Sequence, residues 1–164
     1  MFEYYKQSKV VEYLPMSSHK TVSDTRRFIK SFFIDNYNQG KIGHFAVVDK
    51  SNNKVIGNIG LNNVYKSDTE GEIGICINPI YWGHDIATEL GKEVIKFAFT
   101  STNIKRIVAN TYENNKRTRK SLKHLNLKYY KTYNKKIVKG MKITYVKCDS
   151  YRILKSEYIK INRK

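Results

Sequence analysis

The chain has 164 residues, 40% of them hydrophobic, and a formal net charge of +17. That length suits one domain with a substantial core, and a single domain over 1–164 is expected. No apolar run approaches the roughly 18 residues of a membrane span, the N-terminus lacks the basic-then-apolar pattern of a signal peptide, and two cysteines without CxxC spacing argue against a disulfide framework or zinc site; a soluble, cytoplasmic, metal-free protein is expected.

In chain order, residues 2–14 and about 22–36 read as two helices, the second with Phe28, Ile29, Phe32 and Phe33 on one stripe and Thr21 or Ser23 as its cap. Gly40 ends that region. His44–Asp49 and Val55–Leu61 form a hairpin across Ser51-Asn52-Asn53, whose asparagines tolerate the positive φ of a tight turn. A strand over 72–77 is carried by isoleucines 73, 75 and 77, which recur with period two. Helical spacing takes over at Ile86, Leu90, Val94 and Phe97/Ala98, with Pro79 and Gly83 at the break. Arg106–Tyr112 reads as the next strand and 116–125 as a basic helix with Leu122 and Leu125 inward. Two final strands, about 128–138 and 141–153, flank a Lys139-Gly140 turn. The layout is one mixed α/β sheet with helices on both sides.

The stretch from Glu72 to Phe99 is therefore a buried strand, a tight glycine turn and an amphipathic helix that starts at the turn. A helix beginning just after a strand presents unpaired backbone N–H groups and the positive end of its dipole, so the N–H groups from Gly83 to Ala87 suit a phosphate or pyrophosphate. The charge distribution also favours anionic partners, because residues 101–164 carry 19 Lys/Arg against 3 Asp/Glu. CoA phosphates, RNA or the ribosome surface fit that field; lysines that merely decorate solvated faces fit it too. The four histidines, His19, His44, His84 and His124, are scattered singly and form no metal signature. Cys76, in the core strand, reads as a small buried hydrophobe.

At these residues the sequence resembles the GNAT N-acetyltransferases, and within them the branch of ribosomal-protein-alanine acetyltransferases (RimJ/RimL-like). Trp82-Gly83-His84-Asp85-Ile86-Ala87 sits where the family has Gln/Arg-x-x-Gly-x-Gly/Ala. Asn115-x-x-Thr118 with Leu125-Asn126-Leu127 is similar to a later Asn-x-x-Ser…Leu-Gly-Phe stretch, and Asp149-x-Tyr151…Glu157-Tyr158 to the closing segment. The resemblance covers nearly the whole chain. It departs at Asp85, which replaces the second glycine of the acetyl-CoA loop, at Asn126, which replaces another glycine, and at the start, where a helix-like segment stands without the family's first strand. The implied fold is a mixed, mostly antiparallel GNAT-like sheet with a splayed central strand pair and flanking helices, lacking the first edge strand.

The resemblance implies acetyl-CoA as co-substrate, with no metal. It assigns the pyrophosphate to the loop of Trp82, Gly83, His84, Asp85, Ile86 and Ala87, and the cofactor arm to Asn115 and the strand at Ile75, Cys76 and Ile77, where a backbone N–H would stabilise the oxyanion. Its nucleotide end falls near Lys116, Arg117, Arg119, Lys120 and Lys123, any of which could grip the 3′-phosphate, with Lys120 and Lys123 as the cofactor-binding candidates. Glu72 is the candidate base and points away from the face of Ile73 and Ile75. A terminal α-amine has a pKa near 8, roughly two units below lysine, so a weak base suffices for a protein N-terminus. Thr118 is the candidate donor to the departing sulfur, since the family's tyrosine acid position holds Leu122; Tyr112 and Tyr129 are spare candidates. Plainer roles stay open: Asp85 and Asn115 as helix caps, Thr118 as a first-turn hydroxyl, Glu72 as an orienting carboxylate.

The function expected is acetyl transfer to a primary amine by direct attack in a ternary complex, most favourably to the N-terminal α-amine of a ribosomal or other protein. A small-molecule acceptor (polyamine, aminoglycoside or amino acid) is the rival, kept alive by Glu70, Glu72 and Glu113. A non-catalytic module binding RNA, the ribosome or a regulator is the third reading, supported by Asp85 and the missing tyrosine.

Overall fold

A computed structural model describes residues 1–139 and 141–162. The expected turn at Lys139-Gly140 has its glycine outside the described residues. Six strands form one sheet: β1 (His44–Asp49), β2 (Lys54–Asn62), β3 (Glu70–Ile77), β4 (Arg106–Tyr112), β5 (Lys128–Lys139) and β6 (Lys142–Leu154), in the spatial order β1-β2-β3-β4-β6-β5; the α-helices in chain order are α1 (Phe2–Tyr5), α2 (Ser8–Val11), α3 (Val22–Phe28), α4 (Asp35–Asn38), α5 (Ile86–Ser101), α6 (Lys116–His124) and α7 (Lys155–Asn162). Every neighbouring pair is antiparallel except β3 and β4, which run parallel. The mixed, mostly antiparallel sheet is the one the elements imply, and Asn53 turns the first hairpin at φ 57°.

The parallel pair opens. β3 and β4 are joined at Glu70–Arg106, Gly71–Ile107 and Glu72–Val108, and no further rung follows among the described residues. β2 stays paired to β3 through Ile77, and β6 to β4 through Tyr112, so each strand is held on its outer edge while the facing edges separate. Backbone N–H and C=O groups along that gap are left for another partner.

Two cores lie on opposite faces. Ile59, Leu61, Ile107 and Ala109 pack under the helix α5 (Ile86–Ser101), whose Val94, Ile95, Ala98 and Phe99 are buried on the spacing read from sequence, and Leu122 and Leu125 of the basic α6 (Lys116–His124) join them. The other face carries Tyr4, Tyr5, Val10 and Val11 of the N-terminal segment against Cys76. α6 is tied to the sheet by Arg119, whose guanidinium stands 3.4 Å from the buried Asp149 carboxylate and donates to Tyr151 Oη at 3.2 Å and to Glu113 O at 3.0 Å. Part of the basic run is therefore structural.

The N-terminal helices depart from the pattern. Residues 2–14 form two single turns, Phe2–Tyr5 and Ser8–Val11, broken where Gln7 adopts an extended backbone. The second helix starts at Thr21 with a capping box to Asp24, as the sequence suggests, then widens into a π-helical stretch over Ile29–Ile34. Phe28 stacks on Phe32 at 4.9 Å and Phe33 is buried, so the stripe read from sequence keeps its inward face through the wider turn. A final helix, Lys155–Asn162, goes unread in the sequence because its apolar residues are few and scattered; Tyr158 packs it on Phe99. Among the described residues no helix is long and apolar enough to cross a membrane.

Candidate functional site

The gap between β3 and β4 widens into a cavity of about 670 Å³. Glu72 lies at its vertex, on the last rung that joins the two strands. The strand beyond, Ile73 to Ile77, forms one wall with Trp82 and Ala87; Asn110 to Tyr112 and the start of α6 form the other. Lys9 to Pro15 of the N-terminal segment and Lys135 and Ile137 of β5 close one side. Lys139 holds that side together: its ammonium donates to Val11 O at 2.8 Å and Glu12 O at 3.2 Å, and desolvation there lowers its pKa.

At the turn after β3, Trp82 Nε1 donates to Ile77 O at 2.8 Å and fixes the loop against the strand it leaves. Gly83 sits at φ 93°, a backbone that favours glycine, and Asp85 at φ 52°. α5 makes its first backbone bonds from Thr88 N–H and Glu89 N–H to Asp85 O, so the N–H groups of Ile86 and Ala87 precede any helical partner and stay available to an anion. The Asp85 side chain makes no cap bond. Its left-handed backbone explains why a glycine suits this place in related loops, and it corrects the capping role left open for the carboxylate.

The candidate residues divide by position. Glu72, Ile75, Cys76, Ile77, Trp82, Ala87, Asn115 and Thr118 line the cavity. Gly83, His84, Asp85 and Ile86 stand beside the cavity at the start of α5 rather than in its lining; His84 and Asp85 open onto a shallower recess with Lys92 and His124, and Ile86 packs on the core. Lys120 and Lys123 are exposed and lie outside the cavity lining, to which α6 contributes Lys116, Arg117, Thr118 and Ser121. Thr118 and Ser121 stand four residues before Leu122 and Leu125 and so share the inward face that these leucines set, while Lys116 and Arg117 reach the cavity from the first turn of α6. Asn115 caps α6, its Oδ1 accepting from Thr118 N–H at 3.2 Å, which leaves its NH₂ group and the Thr118 hydroxyl facing the cavity.

The structure gives further contacts to groups named from the sequence. The Arg117 guanidinium stacks on Trp82 at 4.0 Å and so spans the two walls. Tyr112, edge-on to Tyr13 at 5.8 Å, carries a buried hydroxyl without a hydrogen-bond partner, and burial raises its pKa. Tyr129, the other spare tyrosine, is exposed and bonded to Thr132. Cys76 is buried, and desolvation pushes its thiol up to about 11, which makes it an inert wall rather than a nucleophile. Both cysteines are free, and among the described residues no three His, Cys, Asp or Glu side chains converge on a metal position.

An elongated, amide-lined cleft ending at free helix N–H groups fits a CoA thioester. The family model described as acetyltransferase (GNAT) domain matches residues 1–128, and the chain belongs to this family. A relative described as an uncharacterized N-acetyltransferase, p20, from Bacillus licheniformis is 29% identical over 65% of this chain; the match spans 60% of that protein's length. The crystal structure of a GNAT-family acetyltransferase from Bacillus anthracis superposes with a TM-score of 0.78 at 26% identity, covering 96% of this chain and 88% of the other. The fold is shared equally well, at TM-score 0.78 but 15% identity, with spermidine N-acetyltransferase from Vibrio cholerae in complex with CoA and spermine, over 96% of this chain and 89% of that one.

Proposed function

We propose that the chain transfers the acetyl group of acetyl-CoA to a primary amine by direct attack in a ternary complex, and that the acceptor is the N-terminal α-amine of a protein, as in the RimJ/RimL-like branch. The observation that carries the reading is the opening of β3 from β4 with Glu72 at its vertex and Trp82–Ala87 at its far end. Thioester and amine would meet between the strands. Glu72, directly or through water, takes a proton from the amine; the amine nitrogen then bonds to the thioester carbon, and a free N–H of Ile75–Ile77 supports the oxygen that gains charge. As the C–S bond breaks, the thiolate leaves with a hydrogen bond from the Thr118 hydroxyl and takes up the proton that the attacking nitrogen sheds, directly or through solvent. A thiol pKa near 8.5 makes it a ready leaving group without a strong acid. Ile86 and Ala87 N–H groups hold the pyrophosphate, with Lys116 and Arg117 nearby.

The charge lining the cavity favours an α-amine over a polyamine. Lys9, Lys116, Arg117 and Lys135 outnumber Glu12 and Glu72, so a polycationic acceptor meets net repulsion whereas a single amine reaches Glu72 alone. The second reading, a small polyamine, rests on those two carboxylates facing one cavity. The basic last third of the chain, with its seven lysines and no acid over 128–147, suits proximity to RNA or the ribosome surface. Mass spectrometry of peptides with free N-termini, of lysine side chains in the same peptides, and of spermidine, each incubated with the chain and acetyl-CoA, separates these readings. Acetylated N-termini support the proposal; acetyl-spermidine without acetylated peptide overturns the acceptor class.

A further inference from the structure

The acceptor side of the cavity contains a hydrogen-bonded chain that none of these roles uses. Asn62 on β2 is the cross-strand neighbour of Glu72 and lines the cavity. Its amide fills the space over Gly74: a Cβ at that glycine would stand 3.1 Å from Asn62 Oδ1, 3.2 Å from Nδ2 and 3.1 Å from His44 Cε1. Behind Asn62 the buried His44 ring lies between two amides, Nε2 at 2.8 Å from the Oδ1 end of Asn62 and Nδ1 at 3.1 Å from Oδ1 of Asn58. Asn58 Nδ2 donates to the Tyr5 hydroxyl at 2.8 Å.

The proton count of this chain decides which end of Asn62 faces the substrate. Asn58 gives its NH₂ to Tyr5, so its carbonyl oxygen meets Nδ1, which must carry the ring's proton. Burial pushes the His44 pKa below its ordinary value, so the ring is neutral at pH 7. A neutral ring protonated at Nδ1 can only accept at Nε2. The two ends of a carboxamide have nearly the same shape, so the NH₂ of Asn62 turns to the ring and its carbonyl oxygen turns into the cavity beside Glu72.

We infer that Asn62 Oδ1 and the Glu72 carboxylate together form the acceptor subsite, each accepting one N–H of a primary amine, with Tyr5, Asn58 and His44 as the chain that orients Asn62. The chemistry rests on the acetyl-transfer reading; the orientation of the amide does not. With both N–H groups held, the nitrogen lone pair is left for the thioester carbon, and a secondary amine, having one N–H fewer, is disfavoured. The groups around His44 supply no competing charge: Phe32 and Phe33 pack on the ring, the Tyr37 phenol donates to the His44 carbonyl, the Tyr5 phenol and Cys76 thiol lie beyond Asn58, and Glu72 lies beyond Asn62. Protonating His44 adds an N–H at Nε2, draws the Asn62 carbonyl back to the ring and presents NH₂ to the amine.

Nitrogen NMR of the full chain without substrate reads the orientation directly. His44 is expected in the Nδ1–H form with bare Nε2 at pH 7; an Nε2–H form or an imidazolium at that pH overturns the positioning chain. Kinetics then read the subsite: Asn62→Leu should raise the acceptor KM about tenfold, the worth of one hydrogen bond, and leave the acetyl-CoA KM within about twofold. An N-methylated acceptor should be weak on the wild type and gain nothing further from the substitution. In a His44→Gln background the effect of Asn62→Leu should shrink, as expected of coupled residues. An unchanged acceptor KM in Asn62→Leu sinks the subsite while leaving acetyl transfer standing. A wild type that binds no acetyl-CoA sinks acetyl transfer and the subsite built on it, and the NMR result alone then decides the positioning chain.

Discussion

One wall of the cavity comes from a single run of chain, β3 through α5, while the side proposed for the acceptor is assembled from Lys9–Pro15, Asn62, Tyr112, Lys135 and Ile137, which are far apart in sequence and meet only in the fold. The first is held by local bonds, such as Trp82 to Ile77 O and the first turn of α5 to Asp85 O. The second is held by long-range contacts, Lys139 to Val11 and Glu12, Tyr13 on Tyr112, and Tyr5 to Asn58. A locally built half keeps its geometry when other parts change. A half made of distant pieces can change its substrate by small changes in any of them, which suits a cofactor side that is constant and an acceptor side that varies.

That separation is testable, most strongly at the vertex. Glu72→Gln keeps the shape and removes the basicity, so kcat/KM should fall roughly ten- to a thousandfold while acetyl-CoA binding persists. An unchanged pH–rate profile in the variant would defeat the assignment of Glu72 as base. Next in size is Lys139→Met, which unfastens the N-terminal segment from β5. Steady-state kinetics should show the acceptor KM rising by about tenfold, from two lost bonds of about 1 kcal/mol each partly replaced by water, with acetyl-CoA affinity unchanged. A parallel loss of acetyl-CoA binding would show that the two halves are not independent.

Smaller effects are expected on the cofactor side. Arg117→Ala removes the stack on Trp82, worth about 0.5–1 kcal/mol at an exposed site, and a cation near the phosphates; acetyl-CoA should bind a few-fold more weakly, by calorimetry, with the acceptor KM unmoved. Asp85→Gly is the mildest. It removes a carboxylate from beside the free N–H groups, so acetyl-CoA should tighten by the several-fold that about 0.3–1 kcal/mol represents. Because the side chain caps nothing and the backbone is already left-handed, Tm should hold or rise slightly rather than fall. A weaker complex would mean that the carboxylate organises the loop.

The same division explains what the sequence disclosed. The strand-turn-helix of the cofactor side was legible because period two, a glycine turn and period 3.6 follow one another within 28 residues, and the resemblance supplied the roles. The positive φ of Asp85 was not legible, since an aspartate before a helix ordinarily reads as a cap. Nor was it legible that Lys116 and Arg117 rather than Lys120 and Lys123 line the cavity, because a helix with charge on most sides does not declare which face a neighbour leaves open. Asn62 and the role of His44 escaped for a different reason: single polar residues on strands carry no spacing signal, and only the sheet register sets Asn62 beside Glu72. The break at Gln7 and the π-helical stretch are tertiary choices, made where Tyr4, Tyr5 and the phenylalanines find their partners.

The central claim is that the opening between β3 and β4 receives acetyl-CoA. Trp82 is the chain's single tryptophan and stands in the wall of that opening under Arg117, so its emission reports the site without a label. Titration with acetyl-CoA, followed by Trp82 fluorescence and by calorimetry on the same sample, should give one saturable event in the micromolar range by both, weakened in Arg117→Ala. No heat and no change in emission at millimolar acetyl-CoA would contradict the account.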